Sequence, residues 1–319
     1  MSYDQILIDG NFFARRMFSV HKRLKATVDG NVVPTGLTHG FLLQLCQLKR
    51  YYEGTIVVVW DKGIKRRRAI DRDYKRKRRE TEWDEQELFL EHSEILRYFL
   101  KLICVRQAWK QGEEGDDVLH TLAKRHKGFT LIASNDHDMI QAVTETTHLL
   151  VSKKGNDSIV WTPKKVLKAY GVTPEGYEHS MCLSGCTGDQ VAGVQGVGTK
   201  TALEFCSRWP MLVPVLMGYG VEEGWELGDW LPEVKSGKVV EKTKAFKEGE
   251  KGPNKRLMTV LESAAVVETT HRLVQLYDVW PVAFVKPGEF DEELVEETLE
   301  RCELFELAER IDVLKELSE

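Results

Sequence analysis

Three short apolar runs, rich in β-branched residues, each end on acids or an acid-bearing turn, and nothing else in the chain constrains its fold so strongly. Gln5 to Ile8 leads into Asp9, Thr55 to Trp60 into Asp61, and Phe129 to Ala133 into Ser134-Asn135-Asp136-His137-Asp138. Short apolar runs without polar alternation are the pattern of strands buried on both faces. Leu102 to Arg106 reads as a further strand of this kind. Helical patterns fall between them, at roughly 36 to 53, 84 to 101 and 115 to 127. That alternation predicts an α/β fold, a mainly parallel sheet with flanking helices. Ligands in such sheets bind at the carboxyl ends of the strands, so Asp9, Asp61, Asp136 and Asp138 are expected to collect at one edge.

A hairpin is expected next, from His148 to Val151 and Ser158 to Trp161 around Lys154-Gly155-Asn156-Asp157. Beyond about residue 163 the pattern turns mostly helical, with Pro163 and Pro174 marking helix starts and Glu248 to Asn254 composed like a loop. The expected organisation is an α/β core over 1–172 and a mostly helical region over 173–319. The C-terminal stretch from Arg256 carries no recognisable chemistry, and its acidic end, Glu289 to Glu319, would repel a polyanion.

Two more acid-bearing runs complete the set: Glu113-Glu114-Gly115-Asp116-Asp117 and Gly185-Cys186-Thr187-Gly188-Asp189. Carboxylates gathered in one place repel unless cations sit between them, and hard divalent ions such as Mg2+ take oxygen ligands. Each acid also has a plainer reading. Asp9 alone can cap a helix beginning near Asn11, and Glu114 to Asp117 can favour a helix N-terminus. Those readings leave unexplained why the acids fall together at strand ends.

The chain has 319 residues, enough for one large or two ordinary domains, with 30% charged residues and a net charge of -5. It has no apolar run of membrane-spanning length and no signal-peptide pattern at Met1-Ser2-Tyr3-Asp4, so a cytoplasmic, monomeric protein with no membrane partner is expected. Its six cysteines (46, 104, 182, 186, 206 and 302) form no CxxC pair, which suits reduced thiols. The distribution of charge says more than its sum. Between Lys62 and Glu80 stand eleven Lys or Arg against three acids, a local charge of +8, with Tyr74 among them. Such a run is often just a solvated face, but this one directly follows Asp61 and carries an aromatic able to stack on a base. It reads as a site for a phosphate backbone.

The other dense motif is Gly193-Val194-Gln195-Gly196-Val197-Gly198-Thr199-Lys200-Thr201-Ala202. Glycines at this spacing before helix-forming residues allow backbone amides to approach a phosphate closely. The spacing is not that of a Walker loop, and no strand pattern leads into it as a dinucleotide fold requires. A turn between two helices gripping a duplex backbone is what remains.

Taken in order, these motifs resemble the 5'-nucleases, or flap endonucleases, which occur as free-standing phage proteins and as the N-terminal domain of bacterial DNA polymerase I. The resemblance runs from about residue 5 to at least 205. It covers Asp9, the Gly30 to Phe41 segment (GNVVPTGLTHGF), Asp61, Tyr74-Lys75-Arg76-Lys77-Arg78, Glu114-Gly115-Asp116-Asp117, Asp136-His137-Asp138 and the glycine motif. It implies a PIN-like nuclease core with a helical arch at about 62–80 and a helix-two-turn-helix at about 182–208. It also implies two Mg2+ or Mn2+ ions, one held by Asp9, Asp61, Glu114 and Asp116 with Asp117 beside them, the other by Asp136, Asp138 and Asp189. Lys75 and Arg78 would neutralise the scissile phosphate, with Asp9 and Asp116 completing the catalytic set. Tyr74 would stack on a base, and Arg67, Gly193, Gly196, Gly198 and Lys200 would contact DNA. The backbone carbonyls of Val194 and Val197 would hold K+. The implied substrates are DNA junctions of single strand and duplex, such as 5' flaps, including RNA-primed ones, and replication proteins are the implied partners. A stand-alone 5'-3' exonuclease and flap endonuclease is the expectation.

One departure stands out. The family's pattern before the glycine motif is GDxxDN, which puts Asp189 on its second aspartate, Gln190 on its Asn and Cys186 on its first aspartate. A thiol is a soft ligand, poorly suited to Mg2+. This motivates a second reading, a catalytically impaired relative that binds branched DNA. A third, a ribonuclease of the related fold, is disfavoured by the glycine motif and the basic run.

Overall fold

In the computed structural model the described residues are 2–77, 85–152, 158–218, 253–285 and 288–318. Arg78, the Lys154 to Asp157 turn and residues 248–252 of the expected loop lie outside them. The described chain forms two compact units. The first comprises Met1–Arg66, Glu80–Thr162 and Leu276–Glu319, the second Arg67–Arg79 and Pro163–Gln275.

The first unit is built on strands β1 (Gln5–Asp9), β4 (Thr55–Trp60), β5 (Arg106–Trp109), β6 (Thr130–Ala133), β7 (Thr147–Ser152), β8 (Ser158–Trp161) and β11 (Ala283–Val285). They form one sheet in the order β11-β5-β4-β1-β6-β7-β8. Its five central strands are parallel, with the hairpin partner β8 antiparallel at one edge and β11 antiparallel at the other. Ile6, Leu7 and Ile8 are fully buried, as are Ile56 and Val58, which is why these strands lack polar alternation. The predicted helices appear as Gly36–Tyr51, Gln86–Leu102 and Gly115–Arg125. One strand is displaced: the apolar run from Leu102 is used by the end of a helix and the turn after it, so pairing begins only at Arg106.

Two elements were not foreseen. Strands β2 (Lys25–Val28) and β3 (Asn31–Pro34) form a hairpin whose two-residue turn, Asp29-Gly30, has φ of 49° and 81°. Positive φ at both positions is the I′ geometry that Asp-Gly favours. The second is the return of residues 276–319, expected in the helical region, to the sheet unit: β11 joins the sheet edge, and Val295, Leu299, Leu307 and Leu314 are fully buried in the same core as Ile6 and Ile56.

The second unit is mostly helical, including Pro163–Tyr170, Pro174–Ser184, Thr199–Arg208, Pro253–Leu261 and Ala264–Val274. Thr173 caps the second of these through Gly176 N, with Pro174 in its first turn. Between Ser184 and Thr199 the chain makes a small ribbon, β9 (Gly185–Cys186) with β10 (Val191–Ala192), around a 3-10 turn at Thr187–Asp189. No helix among the described residues is long and apolar enough to cross a membrane.

Candidate active site

The sheet register brings the first set of acids together. β1 lies between β4 and β6, with Asp9 opposite Val59 and Ile8 opposite Ala133, so Asp9, Asp61 and the turn after Ala133 all emerge at the carboxyl edge. Asp9 does cap the helix Gly10–His21, accepting from Phe12 N at 3.0 Å through Oδ1. Its Oδ2 accepts the Ser134 hydroxyl at 2.8 Å, tying β1 to β6. Burial raises the Asp9 carboxyl to about 6, and the charges of Asp61 and Asp136 push in the same direction against those two hydrogen bonds. The capping and ligand readings are therefore compatible in one side chain.

Asp61 accepts Gly115 N at 2.6 Å, and its own amide donates to Asn11 Oδ1 at 3.2 Å. The first bond explains the glycine: a Cβ at residue 115 would lie 2.6 Å from Asp61 Oδ1. Glu114, buried, precedes the helix Gly115–Arg125, with Asp116 in its first turn. Asp136 caps the 3-10 turn His137–Ala142 by accepting Asp138 N at 2.9 Å. The acids of this unit stand on adjacent elements near one edge of the sheet, and oxygen donors of this kind suit a hard divalent cation.

Asp117 also serves the fold. It is fully buried, and its Oδ1 accepts Tyr277 N at 2.9 Å, which anchors the returning chain.

Residues 78–80 of the expected arch lie outside the described residues, and several basic residues before them have defined partners. Lys65–Ile70 is helical, and a turn follows through Tyr74 and Lys75. Arg67, expected to contact DNA, is 5% exposed and donates to the carbonyls of Leu273 and Gln275, each at 2.8 Å. Tyr74, expected to stack on a base, is 3% exposed, and its hydroxyl donates to Asp189 Oδ2 at 3.2 Å. In both cases a long side chain in a charged run meets a buried backbone or carboxylate partner that local sequence does not reveal. Lys75 Nζ lies 3.3 Å from Asp189 Oδ2, and Lys75 N donates to Asp189 O at 3.0 Å. Gln190 Oε1 accepts Lys77 N at 2.5 Å. Gln190, which stands at the family's Asn position, thus joins Asp189 in bonding the basic segment. Its φ of 61° was not visible in the residue type. A ligand atom of Cys186 lies within 4.8 Å of one of Asp189.

The glycine motif joins the helices Pro174–Ser184 and Thr199–Arg208. Gly193 sits where a Cβ would come 2.2 Å from the Ser184 carbonyl carbon, and Gly196 has φ of 77°. Val194 N donates to Leu183 O at 2.8 Å, and Val197 N to Val194 O at 3.0 Å, while Gly198 caps the second helix and Lys200 lies in its first turn.

The family model for the 5'-3' exonuclease, N-terminal resolvase-like domain, matches residues 4–171. The chain is 33% identical over 218 residues to a 5'-3' exonuclease of Aquifex aeolicus, covering 67% of this chain and 72% of that protein. It is 29% identical over 245 residues to DNA polymerase I of Bacillus subtilis, covering 74% of this chain but only 27% of the polymerase. Among solved structures it resembles the 5'-exonuclease of T5 with zinc bound, at a TM-score of 0.62 and 16% identity, over 99% of this chain and 100% of that one. By family match and sequence identity, with a fold in agreement, the chain belongs to the 5'-3' exonuclease family.

Proposed function

We propose that this chain is a divalent-metal-dependent 5'-nuclease that hydrolyses DNA phosphodiesters where a single strand meets a duplex, acting as 5'-3' exonuclease and flap endonuclease. The observation that carries the reading is the convergence of Asp9, Asp61 and Asp136 at the carboxyl edge of three adjacent parallel strands, in a chain of this family. Asp9, Asp61, Glu114 and Asp116 would hold one Mg2+ or Mn2+, and Asp136 with Asp138 would contribute to a second. A bound ion of this kind would supply Lewis-acid polarisation of a phosphate oxygen and a water more acidic than bulk water.

The chain's own residues do the positioning. Ser134 and Phe12 N fix the Asp9 carboxylate by one hydrogen bond to each oxygen, while Gly115 N ties Asp61 to the helix N-terminus in a bond that a cation would compete with. Lys75 and Arg78 are proposed, from the motif, to offset negative charge as it builds on the phosphate. The turn at Gly193 to Gly198 with Lys200 is proposed to grip the duplex backbone, with K+ on the Val194 and Val197 carbonyls.

A DNA with a labelled 5' flap, incubated with the protein in Mg2+, in Mn2+ and in EDTA, tests this. Metal-dependent release of the label is expected. Binding without cleavage in every condition would favour the second reading, a DNA-binding relative, which the thiol of Cys186 beside Asp189 motivates. In that comparison Cys186→Asp should raise the Mg2+-supported rate relative to the Mn2+-supported one.

A further inference from the structure

On the sheet unit lies a cleft of about 390 Å3, lined in part by Trp60, Trp109 and Tyr98 and by Lys62, Arg97 and Lys101, with no carboxylate in its lining. The volume falls in the range of small-ligand sites, about 300–1,000 Å3. Its walls are mostly apolar, yet three cations and no carboxylate line it. Glu94 acts on Arg97 from outside this lining, but three cations at one cleft still favour an anionic occupant.

The rings and cations are arranged, not scattered. The Arg97 guanidinium carbon stands 4.8 Å over the Trp60 ring, a cation-π distance. Trp60 is itself held by its indole N–H, which donates to Gln107 Oε1 at 3.0 Å. Arg97 Nε is buried and makes no hydrogen bond among the described residues. A donor left unmet in this way is costly to bury. Lys101 and Tyr98, one turn of the same helix, are exposed at the cleft.

We propose that this cleft binds a nucleoside monophosphate, its planar base against Tyr98 and Trp109 and its phosphate among Lys62, Arg97 and Lys101. A bare phosphate would leave the apolar walls without a partner, and a neutral nucleoside would leave the cations without one. A planar ring joined to a dianion matches both at once. Binding here does not require the chain to cleave anything.

The test is calorimetric titration of the whole chain with deoxyadenosine 5'-monophosphate, deoxyadenosine and inorganic phosphate. EDTA is present throughout, so that no metal can bridge the nucleotide to the carboxylates. The monophosphate is expected to bind at least about tenfold more tightly than either fragment. Lys101→Glu and Tyr98→Ala, both at exposed positions, are each expected to weaken it by about tenfold or more while thermal melting stays unchanged. Three results would overturn the proposal: no saturable binding up to about 10 mM, phosphate binding as tightly as the nucleotide, or nucleotide binding that both substitutions leave intact.

Discussion

Lys75 Nζ stands 3.3 Å from Asp189 Oδ2, the oxygen that also accepts the Tyr74 hydroxyl at 3.2 Å. The lysine proposed to offset phosphate charge is thus held by a carboxylate, and it must exchange that partner for the substrate. The pair is largely removed from solvent, with side-chain exposures of 14% and 13%. Lys75→Ala should lower single-turnover cleavage by on the order of 10²-fold while changing DNA affinity by less than about threefold. Equal losses in rate and affinity would show that Lys75 only holds DNA.

The Asp9 carboxyl gives the metal-free protein a pH signature. Its folded value of about 6 lies above the ordinary 3.8, so the fold retains this proton where the unfolded chain has lost it. The proton-bound fold is favoured below about pH 4, and its advantage is lost as the pH rises towards 6, a penalty on the order of 3 kcal/mol above that. Thermal melts in EDTA should therefore fall between pH 4 and 6 by more in the wild type than in Asp9→Asn. Mg2+ at neutral pH should restore stability to the wild type by binding the folded state. Identical pH profiles for the two proteins would refute the assignment.

Gly115 allows Asp61 to bond the helix N-terminus, since a Cβ there would meet Asp61 Oδ1 at 2.6 Å. Gly115→Ala should move that carboxylate away from Gly115 N and free it for a cation. The expected result is a several-fold gain in Mg2+ affinity with no loss of melting temperature, because alanine is also the better helix former by about 1 kcal/mol. A lower affinity would mean that the bond to Gly115 N places Asp61 correctly for the ion.

Arg67 should behave as a core residue. Its guanidinium is the hydrogen-bond donor to Leu273 O and Gln275 O, so Arg67→Ala leaves buried carbonyls unmet. The cost should be about 2–4 kcal/mol in denaturant unfolding. The salt dependence of DNA binding should keep its slope, whereas loss of one phosphate contact would reduce that slope by about 1.

The parts of this molecule visible in sequence are those in which a local pattern and its burial coincide. Strands β1, β4 and β6 are apolar because both faces are covered, and the acids that follow them share an edge because the strands are parallel. Strand β5 was misplaced for a related reason: Leu102 to Val105 is apolar in the service of a helix end and a turn. The β2–β3 hairpin did carry a signal, Asp29-Gly30 between short β-branched stretches. Arg67, Tyr74 and Asp117 have partners 206, 115 and 160 residues away, a distance over which no local pattern operates. Residues 292–316 hid their buried leucines within strongly acidic helices.

The bond from Tyr277 N to Asp117, spanning 160 residues, gives the sheet unit a particular order of completion. A chain emerging from a ribosome has all the parallel strands in hand by Ser152, yet the edge partner β11 and the leucines that seal the core arrive only after residues 163–275 have been made. Until then β5 presents an unpaired edge and the core an uncovered apolar face, both hazards for a nascent chain. Synthesis of the second unit is thus a waiting time imposed on the first, and a translational pause within 163–275 would lengthen the interval in which chaperones matter most.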